Sequence, residues 1–243
     1  MYILSGIPLG TVQKVFSSAV RTPRRKTYIA LAKVLDPDEA RRLEYSFSST
    51  DGGARVAEKQ GEYTIEDYMK LPDDVRVELI DGVIYDMAAP LVVHQLVVSE
   101  IVVQLRNCME EHEEDCIPLP SPVDVQLDKD NKTMVQPDVL ILCDKQKIVD
   151  GRVFGAPEFV LEVLSKSTRS KDQVLKLQKY MSAGCREYWI VDIDNHRVMV
   201  YDFEGDSWPA IYPFAGKVPV GLSEGKCSID FDKINKQLQK LYP

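Results

Sequence analysis

The chain has 243 residues, 44% of them hydrophobic, and a formal charge of −8. That length suits one large domain or one domain with a small appendage, and the apolar content is enough for a core. The acidic balance argues against a broadly basic nucleic-acid coat, although a bound metal can supply positive charge locally. Charge is uneven: residues 1–47 hold eight Lys/Arg against four Asp/Glu, +4, and the remainder holds 22 against 34, −12.

Cys108, Cys116, Cys143, Cys185 and Cys227 show no C-x-x-C spacing and no paired histidine, so a structural zinc site is not expected. Their odd number and scatter suit reduced thiols in a cytosol. No run is long enough to span a membrane, and no charged segment precedes an apolar core at the N-terminus. The expected location is cytoplasmic, with no membrane partner.

Ser5-Gly6-Ile7-Pro8 signals a turn. Leu9–Ser18 predicts a short helix, with Val12, Val15 and Phe16 at helical spacing, and Thr27–Leu35 predicts a second, with Ile29, Leu31, Ala32 and Leu35. This stretch resembles the second half of the Cro/C1-type helix-turn-helix. The resemblance implies that Leu9–Ser18 is a recognition helix offering Thr11, Gln13 and Lys14 to a groove, while Arg21, Arg24, Arg25 and Lys26 meet phosphates. The chain begins four residues before the turn, so the unit reads as truncated. Two amphipathic helices joined by a solvated basic loop are the alternative reading.

Residues 1–43 form this segment, and 44–61, polar and Ser/Gly-rich, read as a linker. Residues 62–205 read as the main domain and 206–243 as its C-terminal extension. Thr64, Glu66 and Asp67 open a short helix with a capping arrangement. Val77–Met87 alternates around Asp81-Gly82, a strong hairpin signal, and Glu78 sits at its start. His94–Glu114 predicts a long helix with Leu96, Ile101, Leu105 and Cys108 on its core side. Pro118–Leu127 predicts an edge strand. A hairpin over Tyr188–Asp192 and Arg197–Phe203 and a last helix over Asp232–Leu241 complete the chain.

Between them, Met134–Leu142 and Glu158–Leu164 predict two apolar strands, followed by a helix from near Ser167 to Gly184. Each strand carries one acid, Asp138 and Glu162, 24 residues apart. A carboxylate among β-formers is costly unless a cation or donor meets it. Two acids on adjacent strands, facing one side of the sheet, would suit a hard metal ion. Period two puts Gln136 on the same strand face as Asp138.

Five ordered segments, VELIDGVIYDM, VQPDV, EVLSKST, Lys176 to Tyr180, and REYWIVD, resemble the bacterial restriction-endonuclease-like domain family of the PD-(D/E)xK nuclease superfamily, over about Tyr63 to Phe203. The resemblance implies an α/β fold with a restriction-endonuclease-like mixed sheet core flanked by helices, beside a small partial all-α N-terminal segment. It implies a metal-dependent DNA endonuclease using Mg²⁺ or Mn²⁺, with DNA as partner and a homodimer compatible. A non-catalytic DNA-binding or regulatory protein on a nuclease-like scaffold is the alternative.

Carried onto this chain, the family's pattern makes Asp138 and Glu162 the metal ligands, Glu78 a further active-site carboxylate, His94 a candidate phosphate contact and Tyr180 a substrate-site residue; Gln136, placed beside Asp138 by strand period, is either a lining residue of that site or an ordinary strand hydrogen-bonder. The superfamily's usual lysine position, two after Glu162, is Leu164. The resemblance moves that role to Lys176 on the following helix. At 100° per residue Val174, Leu177 and Met181 form the helix's apolar stripe with Lys176 at its border, and Lys171 and Lys179 fall elsewhere. Lys176→Ala is therefore expected to slow cleavage with little change in melting temperature, and Lys171→Ala and Lys179→Ala to be near neutral.

Overall fold

A computed structural model describes residues 61–72, 75–127, 131–165, 171–205 and 208–241, with Ala30 and Val34. Apart from Ala30, Val34 and Gly61, the helix-turn-helix-like segment and the linker lie outside the described residues, and with them Thr11, Gln13, Lys14, Arg24 and Arg25.

In chain order the elements are α1 (Ile65–Tyr68), β1 (Val77–Ile80), β2 (Val83–Asp86) and α2 (Val92–Glu111). Then come β3 (Ile117–Pro120), β4 (Val125–Gln126), β5 (Met134–Val135), β6 (Val139–Leu142), β7 (Ile148–Val149), β8 (Arg152–Phe154) and β9 (Phe159–Val163). A π-helical segment, Lys171–Lys176, runs into α3 (Leu177–Ala183). The chain ends with β10 (Glu187–Asp192), β11 (Arg197–Asp202), β12 (Ala210–Pro213), β13 (Lys217–Pro219), β14 (Ser228–Asp230) and α4 (Phe231–Leu241). No helix among the described residues is long and apolar enough to cross a membrane.

The chain divides into two compact units. One comprises residues 1–88, 126–135 and 166–182; the other comprises 89–125, 136–165 and 183–243.

In the first unit β1 pairs antiparallel with β2 and with β5. The Asp81-Gly82 turn puts both residues at positive φ, 51° and 74°, the geometry that joins two-residue hairpins and favours Asp-Gly. A Cβ on Gly82 would lie 2.6 Å from the carbonyl oxygen of Gly61, so steric room as well as φ selects glycine. Thr64 caps α1 in a reciprocal box with Asp67, and Ile65, Leu79 and Met134 pack together beneath it. The expected alternation fails on β1, where all four residues, Glu78 included, are buried.

In the second unit six strands run in the order β12-β11-β10-β9-β6-β3. Every neighbouring pair in this sheet is antiparallel except β9 and β10, which are parallel. Strands β6, β9 and β10 are buried along their whole length, which is why β6 and β9 read as apolar runs without alternation. Helix α2 lays Val97, Val98, Ile101, Val102, Leu105 and Met109 onto a core shared with Val139, Phe159, Leu161 and Trp189. Leu96 and Cys108 sit at the edge of that face, half-buried. Phe214, Val218, Ile229, Phe231 and Ile234 join the same core from the C-terminal residues.

The expected strand Met134–Leu142 is two strands, one in each unit. Pro137 explains the break, because it has no N–H to donate and restricts the backbone of Gln136 before it. Gln136 therefore lies outside both strands, and the period-two argument that placed it beside Asp138 does not apply. The edge strand expected over Pro118–Leu127 is likewise divided into β3 and β4.

The cysteines also differ from expectation. Cys108 is bonded to Cys227 and Cys116 to Cys143, and Cys185 is the free, buried thiol. Separations of 119 and 27 residues hide both pairs from any spacing rule. Tertiary packing brings Cys227 to the C-terminal end of α2, and the β3–β6 register brings Cys116 opposite Cys143.

Candidate active site

Asp138 lies between β5 and β6, immediately before β6. The β6–β9 register pairs Val139 with Leu161, so the next cross-strand pair outward is Asp138 with Glu162. In an antiparallel pair such opposed residues have side chains on one face. Glu162 is only 4% exposed.

Two donors fix the Asp138 carboxylate through a single oxygen. Its Oδ2 accepts the backbone N–H of Val163 at 2.8 Å and lies 3.1 Å from Nε2 of His94. A carboxylate only accepts, so Nε2 carries the proton in this pair. His94 stands in the first turn of α2, and the rigid helix thereby holds the imidazole against the acid. Both of these bonds fall on Oδ2 and neither on Oδ1. Gln136 turns to another partner, its Nε2 donating to Oδ1 of Asp124 at 2.8 Å.

In the first unit the Lys176 ammonium lies 2.6 Å from Oε1 of Glu78, with side chains 3% and 0% exposed. Oδ1 of Asp172, one helical turn earlier, is 3.8 Å from the same ammonium. Charges this deep persist only when paired, and here one cation stands between two acids. Lys176 ends the π-helical segment, a geometry that recurs at functional sites because the extra residue per turn re-aims side chains. Tyr180, on α3, is fully buried.

A family model described as "Putative restriction endonuclease" (Uma2) matches residues 65–220. The chain belongs to this family. Among solved structures, the Uma2 chain resembles one described as a "putative nuclease belonging to DUF820" from Anabaena variabilis ATCC 29413, at a TM-score of 0.60 and 17% identity. That match covers 70% of this chain and 96% of the other. At such identity the likeness speaks for the fold, and the mixed α/β, restriction-endonuclease-like core flanked by helices expected from the sequence is found. No curated protein matches the chain.

For the sequence-derived candidates of this Uma2 chain, Asp138, Glu162, His94 and Gln136 belong to one unit and Glu78, Lys176 and Tyr180 to the other. Asp138 meets His94, and Glu78 meets Lys176. The side chain of Lys171 lies outside the described residues. The expected border position of Lys176 is corrected, since Val174 through Tyr180 are all buried and there is no open face along that run. Lys179 is corrected with it: the side chain is 6% exposed and its ammonium lies 2.6 Å from Oδ1 of Asp81. A straight 100° wheel cannot phase a helix that begins with a π turn.

Two partners escaped the sequence reading. Asp172 carries a visible signal, an acid four residues before a lysine on a helix. Asp81 carries none, because its partner is 98 residues away.

Proposed function

We infer that this protein is a metal-dependent DNA endonuclease that hydrolyses phosphodiester bonds, with Mg²⁺ or Mn²⁺ held by Asp138 and Glu162. The observation that carries the reading is the Asp138 carboxylate, oriented by His94 and the Val163 N–H in register with Glu162. An all-oxygen donor pair of hard carboxylates suits these cations. His94 spends its Nε2–H on Asp138 and so acts as the positioning residue that ligating acids commonly have. When bound, the cation supplies Lewis-acid polarisation of a phosphoryl oxygen and activation of water.

The chain's own groups do the rest of the work in this reading. His94 and the Val163 N–H fix the direction of the Asp138 carboxylate, so that Oδ1 is offered for ligation. Lys176 carries the cationic role that the resemblance assigns to it. Glu78 and Asp172 hold that ammonium in place.

Purified protein incubated with single-stranded, nicked and duplex DNA tests the reading. Cleavage is expected with Mg²⁺ or Mn²⁺ and none with EDTA. DNA that is bound but uncut under every metal condition overturns it in favour of a non-catalytic DNA-binding protein. Sedimentation of the same sample reads whether a homodimer forms.

A further inference from the structure

Cys108, His112 and Cys227 each offer a ligand atom within 4.8 Å of the others. Cys108 and His112 are four residues apart at the C-terminal end of α2, so helical periodicity stacks them on one face. Cys227 is presented from outside the helix by a tight backbone arrangement, its N–H donating to Oγ of Ser223 at 2.9 Å and its carbonyl accepting from Val220 at 2.9 Å. The Cα atoms of the two cysteines are 5.7 Å apart.

We propose that, when the Cys108–Cys227 disulfide is reduced, Cys108, His112 and Cys227 form a binding site for a thiophilic divalent cation, Zn²⁺, with solvent at the fourth position. The geometry favours it. Nδ1 of His112 lies 3.5 Å from Sγ of Cys108. Zn–S near 2.3 Å and Zn–N near 2.0 Å at a tetrahedral angle require an S···N edge of about 3.5 Å. The two sulfurs must separate to about 3.8 Å once their bond is broken, a side-chain adjustment at the observed Cα spacing. His112 is exposed and Cys227 buried, so the site has one wet side for a water ligand.

The chemistry balances with a dithiol or phosphine as reductant. The S–S bond takes two electrons and two protons and yields two thiols, while a dithiol closes to its own disulfide or a phosphine becomes its oxide with oxygen from water. Zn²⁺ then displaces both thiol protons to solvent. In the oxidised protein Nδ1–H of His112 donates to the carbonyl of Cys108 at 2.9 Å. In the metal-bound form that proton sits on Nε2, and the Nδ1 lone pair faces the cation. The metal clip and the disulfide thus exchange at one place, each tying α2 to the segment before β14.

Anaerobic titration of the full-length, phosphine-reduced chain with Co²⁺ tests this. The absorption bands of tetrahedral, thiolate-bound Co²⁺ are expected at one equivalent and should vanish on adding Zn²⁺. They should be absent from the oxidised protein, lost in Cys227→Ser and weakened at least about tenfold in affinity by His112→Ala, and kept in the Cys116→Ser/Cys143→Ser double variant. In unsubstituted protein, Zn²⁺ should slow alkylation of Cys108 and Cys227 while leaving Cys116 and Cys143 unprotected, so the outcome does not depend on any variant folding. No bands in the reduced protein, bands that persist in Cys227→Ser, or no selective protection of Cys108 and Cys227 overturns the proposal.

Discussion

The ammonium of Lys176 stands 2.6 Å from a carboxylate oxygen of Glu78, and both side chains are almost wholly withdrawn from water. Removing one member of such a pair strands the other as a buried charge, at a cost of about 3–5 kcal/mol. Lys176→Ala should therefore lower the melting temperature markedly as well as abolish cleavage, against the expectation from the sequence. Lys176→Met with Glu78→Gln should recover much of the stability and none of the activity. Thermal unfolding of the single and double variants decides this, and an unshifted Tm in Lys176→Ala would show the pair to be energetically idle.

Asp138→Asn keeps an oxygen that can accept the Val163 N–H while removing the charge. Its fold should survive, and its Mn²⁺ affinity should fall at least about tenfold, since hard-cation affinity follows the charge of the ligand set. Calorimetry reads the outcome. Metal affinity equal to that of the unsubstituted protein would remove Asp138 from the ligand pair.

Lys179→Ala, expected from the helical wheel to be near neutral, should cost about 2 kcal/mol. The variant leaves Asp81 without a cation it meets at 2.6 Å, and Asp81 is partly solvated, which keeps the cost below that of a fully buried pair. Denaturant unfolding with an unchanged midpoint would contradict it.

Burial pushes the Cys185 thiol up to about 12, with the Glu158 and Glu187 charges adding to the rise and hydrogen bonds to the backbone opposing it. A folded-state pKa above the unfolded value, about 8.5, means that the folded chain holds its proton longer. This contribution to stability is complete below about pH 8.5 and is lost as pH rises toward 12. Cys185→Ala should show a shallower alkaline loss of stability between those limits. At neutral pH the thiol should resist aromatic disulfide reagents until the protein unfolds, and prompt labelling of native protein would refute the burial.

Deleting residues 1–47 removes eight Lys/Arg. If the segment contacts DNA, duplex binding should weaken, and its salt dependence should flatten by roughly one unit of slope for each phosphate that is no longer met. Equal slopes for the full and shortened chains would assign DNA affinity elsewhere.

What could be read from the sequence is what local chemistry controls. Asp81-Gly82 set a hairpin because positive φ at both positions selects those residues. Thr64 and Asp67 set a helix start, and β6 and β9 announced themselves as apolar runs because both their faces are covered. Asp138 and Glu162 stood out for the same reason, as charges where the pattern calls for aliphatics. Tertiary structure decided what depends on distant partners: which acid meets Lys176, that Lys179 is spent on Asp81, that His94 holds Asp138, and that Cys227 returns to α2. A helical wheel carries no term for a π turn or for chain packed around the whole helix. Spacing rules likewise carry no term for contacts between residues 98 or 119 positions apart. Such pairs exist only because burial within each core brings distant stretches of backbone together, and no local propensity encodes that closure.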